Sequence, residues 1–257
     1  MNRIEKLFSE KKKNILSVFF TAGYPQLEDT ENIIFELHNS GADMIEIGIP
    51  FSDPMADGPT IQQSSHVALE NGMTLHKLFE QLKNIREKIN IPLILMGYLN
   101  PVLHFGIEEF CKECRNIGID GLILPGLPLK EFQDEYKNIF EKNGLLNIFM
   151  ITPQTSESRI KQIDDASRGF IYMVSSSATT GAAVQISDEQ IKYFERIKSL
   201  NLNNPCLIGF GIHDKATFEG ACRFAAGGII GSAFINELSK GENLKQTIND
   251  FVKKIIF

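Results

Sequence analysis

Eight short apolar runs alternate along the chain with stretches that have the periodicity of helices. The runs are nearly continuous in apolar residues, which is typical of strands buried on both faces of a parallel sheet. They cover residues 15–20, 43–49, 92–98, 121–125, 147–152, 169–174, 205–210 and 227–231. Strand followed by helix, repeated eight times, predicts an α/β fold of the (β/α)₈ TIM-barrel type. An open doubly wound sheet is the alternative, because strand count alone cannot prove closure.

Additional helices are expected at three places. A helix with Ile4, Leu7 and Phe8 on its apolar side precedes the first strand and is expected to plug the bottom of the barrel. An extra helical stretch over 60–72 follows the second strand, and a short helix is expected to start at Ser232 after the eighth. The predicted fold is therefore a barrel with an N-terminal helix and additional helices after strands 2 and 8.

Composition limits the classes of function. With 43% hydrophobic residues and no linker or low-complexity segment, residues 1–257 are predicted to form a single domain. The net charge of −6 argues against binding to nucleic acid or an anionic membrane. No apolar stretch approaches the roughly 18 residues that a membrane span needs. The N-terminal segment lacks the uninterrupted apolar core of a secretory signal, so we expect a cytoplasmic protein.

The cysteines do not predict a metal site. Cys111 and Cys114 form a C-x-x-C pair, but there is no second pair, and His104 nearby lacks a fourth ligand. We therefore expect two reduced thiols on a helix and no bound metal.

The segment 46–59, EIGIPFSDPMADGP, carries the acids with catalytic potential. Glu46 is expected near the end of the second strand, and the active sites of such barrels lie at the carboxyl ends of the strands. A carboxyl group in an apolar barrel mouth has a raised pKa and can carry a proton, whereas Asp57 on the following loop is expected to stay ionised and to stabilise positive charge. The alternative is structural: Glu46 forms a salt bridge inside the barrel, and Asp57 caps the helix that begins near Thr60.

Glycines follow the seventh and eighth predicted strands, in 208–212 and 227–234. Glycine lets backbone N–H groups approach a ligand, and a helix starting at Ser232 offers its positive end. Because barrels commonly bind phosphate on these loops, we predict a phosphate site there, closed over by the loop 175–185. Tight turns alone are the alternative explanation.

Five motifs occur in order from residue 3 to the C-terminus: FFTAGYP (19–25), IEIGIPFSDPMADGPTIQ (45–62), ILMGYLNP (94–101), GFGI (209–212) and GSA (231–233). Together they resemble the alpha subunits of tryptophan synthase. The resemblance implies a carbon–carbon lyase of L-tryptophan biosynthesis that cleaves indole-3-glycerol phosphate by a retro-aldol reaction to indole and glyceraldehyde 3-phosphate. It implies Glu46 as the general acid/base and Asp57 as the acid at the ring N–H. It also implies no metal or cofactor in this chain, and an α₂β₂ complex with a beta subunit that carries pyridoxal phosphate.

The same resemblance implies binding residues. The indole pocket matches Phe19, Met96, Tyr98, Leu124 and Tyr172. The phosphate site matches Gly181, Gly209, Gly211, Gly231 and Ser232, with the Thr180 hydroxyl within reach of Asp57. The side that faces the beta subunit matches Asp53, Asn100 and Pro101.

Two positions depart from the family pattern. Ser176 stands where most relatives carry an arginine, and Gly126 stands where they commonly carry an aspartate. The loop 175–185 is dominated by Ser, Thr, Ala and Gly and buries little apolar area, so we expect it to be mobile without a ligand or partner. Because Ser176 replaces the arginine, we expect closure of the loop to be less stable and the isolated subunit to be a poor enzyme. The loss of a carboxylate at Gly126 is expected to alter coupling to the partner or to this loop.

Three other functions compete with the lyase in a complex. A stand-alone lyase that releases indole is favoured if the altered loops have lost the interface. A non-catalytic subunit that only activates its partner is opposed by the presence of both acids, Glu46 and Asp57. Other phosphate-binding barrels, such as sugar-phosphate isomerases, would share the glycines but not the acidic segment.

Overall fold

A parallel β-sheet organises the molecule. The computed structural model describes residues 1–175, 187–209, 211–241 and 243–257. Within them lie nine strands: β1 (Ile15–Thr21), β2 (Met44–Gly48), β3 (Leu93–Met96), β4 (Gly121–Ile123), β5 (Leu146–Asn147), β6 (Met150–Ile151), β7 (Ile171–Val174), β8 (Cys206–Gly209) and β9 (Gly227–Ile230). Their order in the sheet is β5-β4-β3-β2-β1-β9-β8-β7-β6, and every pairing is parallel.

The two ends of this order are consecutive pieces of one chain segment. Ile148 and Phe149 lie between β5 and β6, and both continue the ladder: the Ile148 N–H donates to Leu122 O at 2.9 Å, and the Tyr172 N–H donates to Phe149 O at 2.9 Å. All eight predicted strands are present, the fifth in two pieces. The fold is therefore TIM-barrel-like, as predicted, and the open doubly wound alternative is wrong.

Helices surround the sheet, and one of them, α1, closes an end of it. In the described part of the chain they are α1 (Arg3–Glu10), α2 (Asp29–Ser40), α3 (Pro59–Glu70), α4 (Leu75–Leu82), α5 (Leu99–Phe105), α6 (Ile107–Ile117), α7 (Leu129–Glu131), α8 (Lys137–Lys142), α9 (Glu157–Ala166), α10 (Asp188–Ser199), α11 (Lys215–Cys222), α12 (Ser232–Leu238) and α13 (Leu244–Ile256). A 3₁₀ turn spans Ile85–Glu87, and a π-helical segment, Phe132–Tyr136, joins α7 to α8.

Several helices lie outside the simple strand–helix alternation. Helix α1 precedes β1, α3 and α4 both follow β2, and α12 and α13 both follow β9. Helix α5 after β3 was not predicted. It begins at Leu99 and accommodates Pro101 because a proline in the first turn removes an N–H that has no helical partner there.

Alternation along the strands divides the core into two layers. The inner cluster lies inside the barrel and contains Met44, Ile94, Tyr172 and Leu207, whereas a larger outer cluster fills the space between strands and helices. On β2, Ile45 belongs to the outer cluster, and Met44 before it belongs to the inner one. Residues two apart on a strand therefore lie in the same layer, either inside the barrel or between the strands and the helices.

Helix α1 packs into the lower end of the inner cluster, as predicted. Ile4 and Phe8 belong to that cluster, and the Phe8 ring lies 5.6 Å from the ring of Phe170. Asn2 caps α1 and also donates to the Asp120 carbonyl at 2.8 Å, which ties the helix to the start of β4. One end of the barrel is thus filled by α1.

Candidate functional site

Glu46 lies inside the barrel. It is the third of the five residues of β2, so the expectation that it stands near the end of the strand is wrong by about two residues. Ile45 and Ile47 on either side of it belong to the outer cluster, so the Glu46 side chain takes the inward direction of the alternation. Its side chain is fully buried.

Burial dominates the electrostatics of Glu46. It raises the pKa of the carboxyl group from 4.5 to about 7, and a hydrogen bond from the Ser17 hydroxyl to Oε1, 2.7 Å long, opposes the shift. No cation among the described residues contributes to this pKa, so the salt-bridge alternative is not supported. A carboxyl group with a pKa near neutrality can both give and take a proton at physiological pH.

Asp57 lies on the loop between β2 and α3. Its Oδ2 accepts a hydrogen bond from the Tyr98 hydroxyl at 3.1 Å. The residue is half-buried, and burial raises its pKa, with the Tyr98 hydrogen bond acting in the opposite direction. Asp57 is therefore more exposed than Glu46, as predicted. Its pKa is nevertheless raised, like that of Glu46, and not left at its ordinary value.

The capping role considered for Asp57 is wrong. Helix α3 begins at Pro59, its N-cap is Gly58, and no side chain caps it. Asp57 contributes to this helix through its main-chain carbonyl, which accepts from Gln62 Nε2 at 2.8 Å. Its carboxyl group thus remains available for other partners.

Tyr98 anchors the acidic loop to the end of β3. Its hydroxyl accepts from the Ala56 N–H at 3.0 Å and donates to Asp57, and its ring stacks on Phe51 with the centroids 4.8 Å apart. Burial is the main cause that raises the pKa of Tyr98 to about 12, so it stays a donor at neutral pH. The sequence marked Tyr98 only as a pocket residue, and nothing in it indicated this contact with the loop.

A cavity of about 50 Å³ opens beside Asp57 and Tyr98, and the buried Glu46 is not among the residues that line it. Three of the predicted indole-pocket residues, Phe19, Met96 and Tyr98, line it together with Asp57. Sequence reasoning missed other lining residues, which include Ile49, Phe51, Ile61, Ser65 and Pro125. This volume accommodates a few water molecules, so an indole ring requires the walls to move apart.

The other two predicted pocket residues lie elsewhere. Leu124 packs in the outer cluster, and the neighbouring Pro125 lines the cavity in its place. Tyr172 belongs to the inner cluster, and burial together with the charges of Glu46 and Asp57 raises its pKa well above 10. Both acids therefore influence Tyr172 through their charges, although Tyr172 does not line the cavity.

The predicted phosphate residues lie at the carboxyl ends of the adjacent strands β8 and β9. Gly209 ends β8, Gly211 has a left-handed φ of 77°, and Gly231 is the N-cap of α12, whose first residue is Ser232. No side chain caps α12, which leaves its first N–H groups free of side-chain partners. Thr180 and Gly181, along with Ser176 and most of the loop 175–185, lie outside the described residues.

Two of these glycines also make room for aromatic rings. A Cβ atom at Gly209 would collide with the Tyr172 side chain, and one at Gly231 would come within 3.3 Å of Phe19. Gly211 differs, because the nearest atom to its Cβ position is Ser175 Oγ at 3.9 Å. The glycines therefore serve the apolar pocket as well as any anion.

The three residues predicted to face a partner lie on one side of the barrel mouth. Asp53 is exposed on the acidic loop, and Asn100 and Pro101 lie in the first turn of α5. Two large apolar side chains stand out in the same elements: Met55 is 86% exposed and Leu103 is 47% exposed. These two exposed apolar side chains are candidates for an interaction surface.

Other classes of site find no support in the described residues. No group of three or more His, Cys, Asp or Glu side chains there has metal-binding geometry. Cys111 and Cys114 are free thiols buried on α6, as predicted, and burial raises the pKa of Cys111 to about 12. None of the described helices combines the length and apolarity that crossing a bilayer requires.

Comparison with known proteins gives one consistent result. A family model described as tryptophan synthase alpha chain matches residues 5–255. The tryptophan synthase alpha chain of Flavobacterium johnsoniae is 58% identical over 99% of this chain and 100% of its own length. That of Bacteroides thetaiotaomicron is 52% identical over 96% of this chain and 97% of its own.

Solved structures agree with this result. The structure of tryptophan synthase subunit alpha from Legionella pneumophila matches with a TM-score of 0.88 and 32% identity, covering 99% of this chain and 97% of that one. A structure of tryptophan synthase from M. tuberculosis in an aminoacrylate-bound form matches with a TM-score of 0.86 and 26% identity, covering 99% and 98%.

Proposed function

The chain belongs to the tryptophan synthase alpha chain family, and we propose from this premise that Glu46 and Asp57 carry the family's reaction in this protein. As an alpha subunit it is a lyase of tryptophan biosynthesis that cleaves indole-3-glycerol phosphate. The single observation that supports our assignment most strongly is the buried carboxyl group of Glu46, whose pKa burial raises to about 7.

Glu46 acts first as an acid. Cleavage requires a proton on the indole ring carbon that bears the side chain, because the electrons of the breaking C–C bond must be accepted by the ring. In its protonated form Glu46 gives its proton to that carbon, and the ring becomes an indolenine cation with the positive charge on its nitrogen. The Glu46 side chain is left as a carboxylate.

Glu46 then acts as a base. Its carboxylate removes the proton from the hydroxyl group next to the breaking bond, the O–H electrons form the aldehyde carbonyl, and the C–C electrons return to the ring. The products are indole and glyceraldehyde 3-phosphate. One proton has moved from the hydroxyl oxygen to the ring carbon, and Glu46 ends protonated as it began. The balance requires no oxidant, metal or organic cofactor in this chain.

Asp57 stabilises the intermediate. A carboxylate beside the ring N–H accepts its hydrogen bond and offsets the positive charge that forms there. Tyr98 supports this role, because its hydroxyl donates to Asp57 Oδ2 at 3.1 Å and its hydrogen bond favours the ionised form. Asp57 must be ionised while Glu46 is protonated, and its half-buried position beside a donor favours that division of roles.

Substrate binding is proposed to use the mouth of the barrel. The indole ring occupies the cavity beside Phe19, Met96 and Tyr98, where Pro125 takes the place expected for the outward-packed Leu124. Tyr172 is assigned to the same pocket from the family pattern alone. The phosphate group is bound by backbone N–H groups at Gly209, Gly211, Gly231 and Ser232. Thr180 and Gly181 are assigned to the same end of the substrate from the family pattern alone.

The alpha chain implies a beta subunit as its partner. We propose an α₂β₂ complex in the cytoplasm in which the beta subunit carries pyridoxal phosphate, and an interface on the side of Asp53, Asn100 and Pro101. The exposed side chains of Met55 and Leu103 supply apolar area for that interface.

An indole-release assay with and without the beta subunit tests the proposal. We expect release of indole from indole-3-glycerol phosphate in both cases and a much higher rate with the partner, because closure of the substrate pocket needs support from outside the chain. No release of indole in either case would overturn the proposed function. Equal rates of indole release with and without the beta subunit would support the lyase activity and contradict its dependence on the partner.

A further inference from the structure

Ser17 is the hydrogen-bond partner of the proposed acid/base. It lies on β1, is fully buried, and its hydroxyl donates to Glu46 Oε1 at 2.7 Å. The register explains the contact, because Phe19 pairs with Glu46, and Ser17, two residues earlier, takes the same inward direction. A serine in a largely apolar strand thus places a donor directly at the buried carboxyl group.

The two oxygens of Glu46 have different surroundings. Oε1 is held by Ser17, whereas Oε2 is buried without a hydrogen-bond partner among the described residues. An unpaired buried carboxylate oxygen is costly, so an arrangement of this kind at a reacting group indicates a function. The free oxygen is the one able to exchange a proton without first breaking a hydrogen bond.

We propose that Ser17 is a positioning residue for Glu46: its hydroxyl fixes Oε1 and leaves Oε2 as the atom that gives the proton to the substrate and takes one back. This inference rests on the proposed function, because it assumes that Glu46 is the acid/base. The hydroxyl also assists the second step, since it can donate to the carboxylate and its donation favours the ionised form that this step needs.

Few other groups face Glu46. Phe19 of β1 and Ile94 of β3 pair with it in register, and both are apolar. Tyr172 of β7 is a titratable group that responds to the charge of Glu46, and it stays neutral because its pKa is well above 10. Among the described groups, Ser17 is therefore the principal influence that opposes the burial of the Glu46 carboxyl group.

Two pairs of variants isolate the hydroxyl group. Ser17→Ala removes the oxygen and leaves little space behind, whereas Ser17→Thr keeps a hydroxyl and Ser17→Val has the shape of threonine without one. Ser167→Ala is a matched control, because Ser167 is a buried serine far from the site whose hydroxyl donates to Ile163 O at 2.6 Å. Thermal unfolding at pH 6 establishes that each variant is folded before kinetics are compared.

The readout is the pH dependence of kcat/KM for indole release by the complex with the beta subunit. Glu46 must start protonated, so the rate falls as the pH rises through its pKa of about 7 in the wild type. Loss of the donor raises that pKa. We therefore expect the fall in kcat/KM with pH to move to higher pH by about one unit in Ser17→Ala and Ser17→Val. We expect kcat to fall by about tenfold in the same variants, and the Thr variant to recover both properties in large part.

A direct titration complements the kinetics. With ¹³C-labelled glutamate, the carboxyl resonance of Glu46 is identified as the one that Glu46→Gln lacks, and its titration is followed in the wild type and in Ser17→Ala. We expect the midpoint to move upward in Ser17→Ala and to stay in place in Ser167→Ala.

The outcomes separate this inference from the proposed function. If Glu46→Gln is inactive while Ser17→Ala and Ser17→Val keep the wild-type pH profile and kcat, Ser17 is only a structural residue and the inference is overturned. If Glu46→Gln itself keeps wild-type turnover, Glu46 is not the acid/base, and the inference about Ser17 is overturned as well. The inference is supported if the fall in kcat/KM moves to higher pH in Ser17→Ala and Ser17→Val and returns to the wild-type position in Ser17→Thr.

Discussion

The Tyr98 hydroxyl lies 3.1 Å from Oδ2 of Asp57 and joins the end of β3 to the acidic loop that follows β2. The same oxygen accepts from the Ala56 N–H at 3.0 Å, so one side chain fixes both the backbone and the carboxyl group of this loop. The loop is otherwise exposed at Asp53 and Met55, and its own side chains bury little area. Tyr98 therefore controls where Asp57 stands relative to the cavity that both residues line.

Replacing Tyr98 by phenylalanine tests that control. Phenylalanine keeps the stacking on Phe51 and loses the hydroxyl, so Asp57 loses its donor and its pKa rises further. We expect kcat/KM to fall by about 10²-fold with little change in thermal stability, because an ionised, oriented carboxylate at the ring nitrogen is lost. Tyr136→Phe on the outside of the barrel is the control. Unchanged kcat/KM in Tyr98→Phe would show that Asp57 does not depend on this hydroxyl.

The buried charge of Glu46 makes stability depend on pH. Its folded-state pKa of about 7 lies above the ordinary 4.5. Below pH 4.5 the group is protonated in both the folded and the unfolded state, so it does not lower the free energy of unfolding. Stability is then lost as the pH rises from 4.5 through 7, because the folded state resists ionisation. A difference of this size corresponds to about 3 kcal/mol at high pH.

Glu46→Gln removes this dependence. We expect the variant to be more stable than the wild type at pH 8 by up to about 3 kcal/mol, and the difference to vanish near pH 4.5. Urea denaturation across this range measures it, with Glu141→Gln as an exposed control. If the difference in unfolding free energy between the wild type and Glu46→Gln stays constant with pH, Glu46 ionises freely in the folded protein.

The glycines make separable predictions for phosphate and indole. Gly211→Ala places a Cβ at a φ of 77° in ordinary contact with Ser175 Oγ at 3.9 Å, so its effect is expected to be confined to the strained backbone near the anion. We expect weaker binding of inorganic phosphate and of glyceraldehyde 3-phosphate together. Gly209→Ala displaces Tyr172 and is expected to weaken indole binding as well. If Gly211→Ala leaves phosphate binding untouched, the phosphate site lies elsewhere.

The exposed apolar side chain of Leu103 tests the proposed interface. Leu103→Asp puts a charge into the surface of α5 that carries Asn100 and Pro101, and we expect binding of the beta subunit to weaken by about tenfold or more. Phe257→Asp is the control, because Phe257 is also exposed but lies at the C-terminus. Calorimetric titration with the beta subunit gives the affinities. Equal loss in both variants would point to a general effect of charge and not to an interface on α5.

Periodicity and local chemistry explain which parts of the fold could be predicted. The apolar runs located every strand because burial on both faces leaves little room for polar residues. The split of the fifth strand at Ile148 and Phe149 could not be seen, since the hydrogen bonds there change from β4 on one side to β7 on the other. Helix α5 was missed because Pro101 reads as a break unless its place in the first turn is known.

Orientation limited the prediction of the site. A shift of one residue along a strand exchanges the barrel interior for the outer layer, which is why Leu124 packs outward while Pro125 lines the cavity. Ser17 was overlooked although it is a polar residue in an apolar strand. Its meaning depends on the register that brings it to Glu46, and register is a property of the folded sheet.

Turnover by Glu46→Gln tests the central claim most directly. The variant keeps the size of the side chain and its capacity to accept from Ser17, and it loses the titratable proton. In complex with the beta subunit, we expect indole release to be reduced by about 10²–10⁴-fold or more, because one group serves both proton transfers. Binding of a substrate analogue without the side-chain hydroxyl groups is expected to remain, which separates chemistry from binding. Release at the wild-type rate, with binding intact, would contradict the assignment of Glu46 as the acid and base of this lyase.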